Sequence, residues 1–383
     1  SFTKVGSGTL TLSGTNTYTG TTTVSAGTLN VTGTLSDSTA VTIASGATYI
    51  VGTTDTVASI AGAGNITLTG NLTAGATANT EFSGVMSSTG SFTKVGSGTL
   101  TLSGANTYTG GTTISAGTLA VSSDGNLGAV PAGASSGSIV FNGGTLNTSA
   151  SFTLHADRGI AMTGNGTINV NADTTLTYNG VITGSGNLTK TGAGILALGG
   201  NSTTMSGTTT ISAGTLQIGT GGTSGSLGSG AVVNSAILAY NRSDDVTLSG
   251  DLSGTGSIAQ SGTGTLYLTG TNTYSGATYI NSGTLSIGHN TSTGSFGSGS
   301  VTNNGVLIID RSNDLTISNA ISGTGSLRKN NSNTLTLSGT NTYTGGTTIS
   351  AGTLALGANN VLANTGAITV SGGTFDIATY TDT

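Results

Sequence analysis

Residues 1–383 are predicted to form an all-β solenoid, a right-handed parallel β-helix with about 19 residues per coil. Three features point there: aliphatic clusters of strand length, small polar residues at regular joints between them, and self-similarity at a fixed spacing. Clusters such as Thr9-Leu10-Thr11-Leu12 and Thr28-Leu29-Asn30-Val31 place every second side chain on one side of a strand. Glycine, asparagine and serine fall between the clusters, where the chain must turn.

The self-similarity has two levels. Residues 1–31 return at 91–121 with four differences, and weaker copies begin near Asn187, Ser257 and Ser326. Within a copy, Gly8-Thr-Leu-Thr-Leu is answered 19 residues later by Gly27-Thr-Leu-Asn-Val, and the same offset links Gly98 to Gly117 and Gly264 to Gly283. The shorter spacing is one coil, and the long repeats, starting near 1, 91, 187, 257 and 326, are decorated stretches of a single continuous helix over 1–383. A lone coil cannot bury its apolar faces, so stacking at about 4.8 Å per coil supplies the core.

Composition supports this reading. The chain has 67 glycines, one proline (Pro131), no cysteine, and charged residues at only 5%. Flexible linkers share a richness in glycine and serine but have no reason to keep a period of two. Threonine, serine and asparagine supply surface polarity instead of charge, and threonine's branched Cβ suits a pleated strand. Formal net charge is −5 with eight basic residues scattered along the chain, which leaves no positive track for phosphates and argues against nucleic acid. No apolar run reaches the roughly 18–20 residues that span a bilayer, so direct membrane insertion is not expected. The chain opens inside a repeat, at Ser1-Phe2-Thr3-Lys4, as a fragment of a longer protein would.

Leu10, Leu12, Val24, Leu29 and Val31 form the expected inward set of the first copy, matched by Leu100, Leu102, Ile114, Leu119 and Val121 in the second. Gly14, Gly20 and Gly27 are expected where positive φ or close backbone approach excludes a Cβ. Asn16, Asn106, Asn272 and Asn341 each precede Thr-Tyr and read as turn residues that tolerate left-handed geometry. Tyr18, Tyr108, Tyr274 and Tyr343 read as half-buried covers of a coil corner rather than sugar platforms, with Met205 in the same place in the third copy. Lys4, Lys94, Lys190 and Lys329 recur at one position, occupied by Gln260 in the fourth copy, and read as solvated lysines that discourage lateral strand pairing.

The string Gly-x-Gly-Thr-Leu-Thr-Leu-Ser-Gly-x-Asn-Thr-Tyr-Thr-Gly-Gly-Thr-Thr-Ile-Ser-x-Gly-Thr-Leu, nearly whole at 96–119 and 331–354, resembles the passenger-associated transport repeat of autotransporters. The resemblance implies type V secretion in a Gram-negative bacterium: export, passage through an outer-membrane β-barrel translocator lying outside this fragment, and folding at the cell surface. It also implies a scaffold found in adhesins and autoaggregation proteins, without naming a ligand.

Chemistry is sparse. Only two histidines exist, His155 and His289, and His155 with Asp157 and Arg158 is the densest polar cluster. A Ser-His-Asp triad needs all three groups within hydrogen-bond reach, and the sequence gives no sign of the supporting elbow. Glu81 is the sole glutamate. Asp244-Asp245 with Arg242, and Asp310-Arg311 with Asp314, read as coil corners, while Asp37, Asp55, Asp124, Asp173, Asp251, Asp376 and Asp382 are dispersed. Ser123-Asp124-Gly125-Asn126 reads as a turn. No catalytic, cofactor or metal residue is assigned, and no cofactor is expected.

The function expected is a structural and interaction segment of a surface passenger, an adhesin or autoaggregation stalk, contacting identical molecules or host and surface glycans and proteins. Two alternatives stand beside it. One is a β-helical enzyme acting on polysaccharide or peptide, its active groups outside the repeats or in the insert 122–165, which holds Pro131, His155 and Asp157. The other is a threonine-array ligand binder, ice included, suggested by Thr21-Thr22-Thr23 and Thr208-Thr209-Thr210.

Overall fold

A computed structural model describes residues 1–362 and 366–381. Apart from one 3-10 turn at Asp124–Leu127, its regular structure is short strands paired in parallel, the architecture of a β-solenoid. The chain packs as two compact units, residues 1–196 with 200–207, and residues 197–199 with 208–383.

In the first unit most strands stack in three columns, while Phe152–Leu154 and Thr175–Tyr178 begin a further one. One runs from Phe2–Lys4 through Thr22–Val24, Ala40–Ile43 and onward to Leu188–Thr191. A second holds the five strands from Thr9–Leu12 to Met86–Ser87, and a third the seven strands from Asp55–Val57 to Ile182–Gly184. In the second unit the columns include seven strands from Val246–Leu248 to Ile368–Val370, and a run from Thr215–Ile218 to Ile321–Ser322. Thr48 pairs with Asn65, Thr9 with Thr28, Leu72 with Phe92 and Thr112 with Ile139, so one coil takes from 17 to 27 residues. Loops between strands absorb the difference, and the columns stay in register.

Alternation within each strand sorts the side chains. In Thr99–Leu102, Leu100 and Leu102 are buried while Thr99 and Thr101 face outward, and the pattern repeats along the chain. Inward residues stack on inward residues one coil away, as Leu29 does on Tyr49 and Val31 on Val51. Each aliphatic side chain so buried contributes about 1.5–3 kcal/mol, and the sum over many coils offsets the ordering of a glycine-rich backbone.

The first coil departs from expectation. Leu10 is 37% exposed and Leu12 half-buried, because only one neighbouring coil packs against them; their counterparts Leu100 and Leu102 have coils on both sides. Gly14 has no positive φ and nothing near its would-be Cβ, whereas a Cβ on its counterpart Gly104 would lie 1.8 Å from the Gly84 carbonyl oxygen.

A long repeat comprises a strand pair, a corner and a second strand pair, more than one coil, so successive copies land on different columns. Phe2–Lys4 belongs to the first column, whereas Phe92–Lys94 belongs to the third. No column therefore collects every copy's decoration.

Candidate interaction surface

The residues that recur most conspicuously in the repeat face inward. Lys4, Lys94, Lys190 and Lys329 are all buried, which overturns the reading of them as solvated surface lysines. The alternation explains it: in Phe92–Lys94 the lysine shares the phenylalanine's parity and therefore its face. Lys94 Nζ donates to the carbonyl oxygens of Val95 (2.6 Å), Gly96 (3.0 Å) and, one coil on, Ala116 (3.3 Å). Lys4 makes the same set with Val5, Gly6 and Ala26. Gln260 keeps the function without the charge, its Nε2 donating to Gly262 and Gly264. Burial pushes the ammonium of Lys190 down to about 8 and lowers those of Lys94 and Lys329.

The corner residues are interior posts as well. Tyr108, Tyr274 and Tyr343 are fully rather than half-buried, and each hydroxyl bonds the threonine four residues on, as Tyr108 does Thr112 at 2.6 Å. Tyr18, in the first copy, is half-buried. Met205 fills the third copy's place and is equally buried. The corner asparagines do not adopt left-handed geometry. Asn106 Oδ1 accepts from Met86 N (2.7 Å) one coil back, while its Nδ2 donates to the Asn126 carbonyl oxygen (2.6 Å) one coil on. Asn272 and Asn341 accept likewise from Leu252 N and Ile321 N.

Much of what faces outward is hydroxyl and amide. Register aligns Thr99, Thr118, Thr145, Thr167 and Thr189 on five successive coils. Beside that row run Thr101, Ala120, Asn147, Asn169 and Thr191, with Asn169 bonded to both Asn147 and Thr191. A second ladder, Thr56, Thr73, Thr93 and Thr113, climbs the third column. These rows went unnoticed in the sequence, which suggested Thr21-Thr22-Thr23 and Thr208-Thr209-Thr210 instead; there Thr22 and Thr209 point inward and are buried.

The polar clusters hold loops in place. Arg158 is buried and bonds Asp124 through Nε (2.7 Å) and Nη2 (3.2 Å), with further bonds to the carbonyl oxygens of Leu127, Gly128 and Ala129. This ties the 3-10 turn into the insert. His155 Nδ1 accepts from Asp157 N (3.2 Å), so the nitrogen that a triad would need as donor to its carboxylate is an acceptor here. His289 stacks on Tyr267 at 4.1 Å between ring centres, and Tyr267 donates to Asp245. Asp245, Asp251 and Asp314 each accept the backbone N–H of a residue 20 positions later, linking coil to coil, and Glu81 accepts from Ser103. Asp55 is buried, accepting from Leu35 N, Thr56 N and Tyr49, and burial raises its carboxyl. Asp382 lies outside the described residues. Among the described residues no three His, Asp or Glu gather to hold a metal ion, and no helix is long and apolar enough to cross a membrane.

The family model of the passenger-associated-transport-repeat matches the chain five times, at residues 2–31, 92–121, 188–218, 258–287 and 327–356, each match enclosing one buried lysine or its glutamine replacement. Over 142 residues, 37% of this chain, it is 49% identical to the adhesin BmaC autotransporter of Brucella suis biovar 1 (strain 1330). The five repeats and this likeness support an autotransporter passenger segment. It spans about 4% of that relative's length, and no solved structure matches it. As a passenger it belongs at the cell surface or outside a Gram-negative bacterium.

The passenger also carries a loop device that the spacing of the third and fourth repeats could have disclosed. Arg242 donates to the carbonyl oxygens of Thr223 and Gly225; 69 residues on, Arg311 donates to those of Ser292 and Gly294. Each guanidinium is braced two residues later, Arg242 by Asp244 and Arg311 by Asn313. The hydrogen bond from Arg242 holds the Asp244 carboxyl below its ordinary range. Both pairings mark coil corners, as the sequence suggested.

Proposed function

We propose that this passenger segment is a structural and adhesive module whose outward threonine and asparagine ladders contact identical molecules on neighbouring cells, or surface glycans and proteins. The ladder Thr99, Thr118, Thr145, Thr167 and Thr189 carries the reading, because it offers aligned hydroxyls at a fixed spacing of about 4.8 Å on a backbone braced from within. Each contact is worth about 1 kcal/mol net, so attachment comes from repetition along the face and from many copies per cell. The name of the Brucella relative, an adhesin, supports this. We read the segment as non-enzymatic, since most of its charged groups are engaged in holding loops and coils. The translocator barrel is taken to lie elsewhere in the protein.

The test is a settling assay on non-adherent bacteria displaying residues 1–383 through a generic outer-membrane barrel, with a barrel-only control. Clumping of the first strain alone is the expected result. Dispersed cells carrying folded, displayed segment would leave it a stalk and place adhesion elsewhere.

The threonine ladder also favours a second reading, lattice binding of the ice type. Its companion row is interrupted by Ala120, Asn147 and Asn169, so thermal hysteresis of the purified chain is expected to be absent; measurable hysteresis would promote this reading above adhesion.

A further inference from the structure

The loops fixed by Arg242 and Arg311 are built alike, and the first stands over a cavity. It measures about 520 Å³, within the range of small-molecule sites, and its apolar lining includes Ile218, Leu227, Val232, Tyr240, Leu248 and Leu252. Position by position, 69 residues on, the second loop shows what closes it. Phe296 stands where the first has Leu227, and is buried. Asn319 stands where the first has Gly250, and its Nδ2 bonds the carbonyl oxygens of Gly297 (2.9 Å) and Gly299 (2.6 Å), stitching the loop down. Ile309 stands where the first has Tyr240. In the first loop an isobutyl group stands in place of the phenylalanine ring, the stitch is missing and a phenol has been introduced.

Two hydroxyls in this cavity have no partner among the described residues. Tyr240 is 4% exposed, lines the cavity and makes no hydrogen bond; Ser226 Oγ is buried without one. Ser295, the counterpart of Ser226, is paired through its hydroxyl with the backbone of Asn272. A buried hydroxyl left unbonded, as Ser226 Oγ is, is unfavourable, and a polar group arriving with a ligand would recover that cost. Asp251 is the one charged residue in the lining; its carboxylate disfavours an anion, and it already accepts from Thr271 N at 2.7 Å.

We infer that this cavity is a binding site for a small, uncharged, mostly apolar molecule that carries one hydrogen-bonding group for Tyr240 and Ser226. The body of such a ligand replaces the missing Phe296-like ring, and its polar group meets the two free hydroxyls. The site is independent of the outward ladders.

The probe is N-phenyl-1-naphthylamine, neutral, with two aromatic moieties and a single N–H, whose fluorescence rises in apolar surroundings. It is titrated into the 383-residue chain, into a Leu227→Phe/Gly250→Asn variant that copies the closed loop, and into Tyr240→Phe. A Cβ at Gly250 meets nothing within 4 Å, so the asparagine can be accommodated. Expected are saturable binding at one site per chain, loss by at least tenfold in the closed-loop variant, and weakening of roughly three- to tenfold in Tyr240→Phe. Circular dichroism checks folding; if the closed-loop variant is unfolded, Tyr240→Phe and Leu227→Phe alone decide by the same criterion. No saturable binding to the parent chain, or equal affinity in folded variants, would overturn the assignment.

Discussion

Lys94 Nζ lies 3.3 Å from the carbonyl oxygen of Ala116, one coil further along, and closer still to the carbonyls of Val95 and Gly96. One ammonium thus gathers three carbonyls that the turn after Phe92–Lys94 and the next coil would otherwise leave short of donors. Replacing it by methionine keeps the volume and removes every donor. Lys94→Met is expected to destabilise by about 2–4 kcal/mol, and Lys94→Gln, which copies Gln260, by about 1 kcal/mol. Urea denaturation followed by circular dichroism, with hydrogen exchange at the Ser115 amide that donates to Lys94, measures both. A methionine variant as stable as the parent would show that freeing the ammonium from burial outweighs its bonds.

The buried tyrosines set the alkaline limit. Burial pushes the Tyr108 phenol up to about 12 and also raises Tyr49 and Tyr274. An acid whose folded value is raised keeps its proton in the native state after the unfolded chain has lost it. Stability is therefore intact below pH 10 and falls as pH rises from 10 toward 12, by about 2 kcal/mol for Tyr108 alone. Lys190 acts in the opposite sense between about 8 and 10.5, where the unfolded chain holds the extra proton and stability rises. Denaturation midpoints from pH 7 to 12 should pass through a maximum near pH 9–10, and Tyr108→Phe should flatten the descending limb.

Arg158 and Asp124 close the insert across 34 residues. Asp124→Ala leaves the guanidinium with carbonyl partners but no anion in a buried place, at a cost of about 3 kcal/mol. The opening should be local, so the expected signature is limited proteolysis between residues 128 and 138 with the coils on either side intact. Cleavage at the parent's rate would show that the carbonyl bonds suffice.

At Gly117 the backbone has φ +60°, and an added Cβ would stand 2.3 Å from the Gly96 carbonyl oxygen. Gly117→Ala is expected to cost at least about 2 kcal/mol, more than the propensity difference between the two residues, because the neighbouring coil must move. A thermal melt that matches the parent's would contradict that packing.

Much of this fold is legible in the sequence because strand alternation and the 19-residue offset of Gly8 and Gly27 are both local signals. The lysines were misread by residue type, although their parity with Phe2 and Phe92 places them inside and the exchange for Gln260 points to hydrogen bonding. Asn106 was legible as a corner residue, but its bonds reach one coil backward and one forward, and no local rule reports that. The threonine ladder was hidden because coil length varies: Thr99 pairs with Thr118, Thr118 with Thr145 and Thr145 with Thr167, at unequal separations that only register reveals. The cavity was hidden for a related reason, since Leu227 and Gly250 look unremarkable until their counterparts Phe296 and Asn319 are seen filling the same space.

The most direct test of adhesion through the outward ladders is to charge them and leave the interior untouched. Thr73, Thr113, Thr118 and Thr167 are half-buried at most or turned outward, apart from the strand core, and alternate coils keep the new charges about 10 Å apart. Bacteria displaying the segment with all four changed to lysine are compared with the parent in the settling assay, with surface display and protease resistance measured alongside. The account predicts that the lysine strain stays dispersed while its segment remains displayed and folded; clumping equal to the parent's would contradict it.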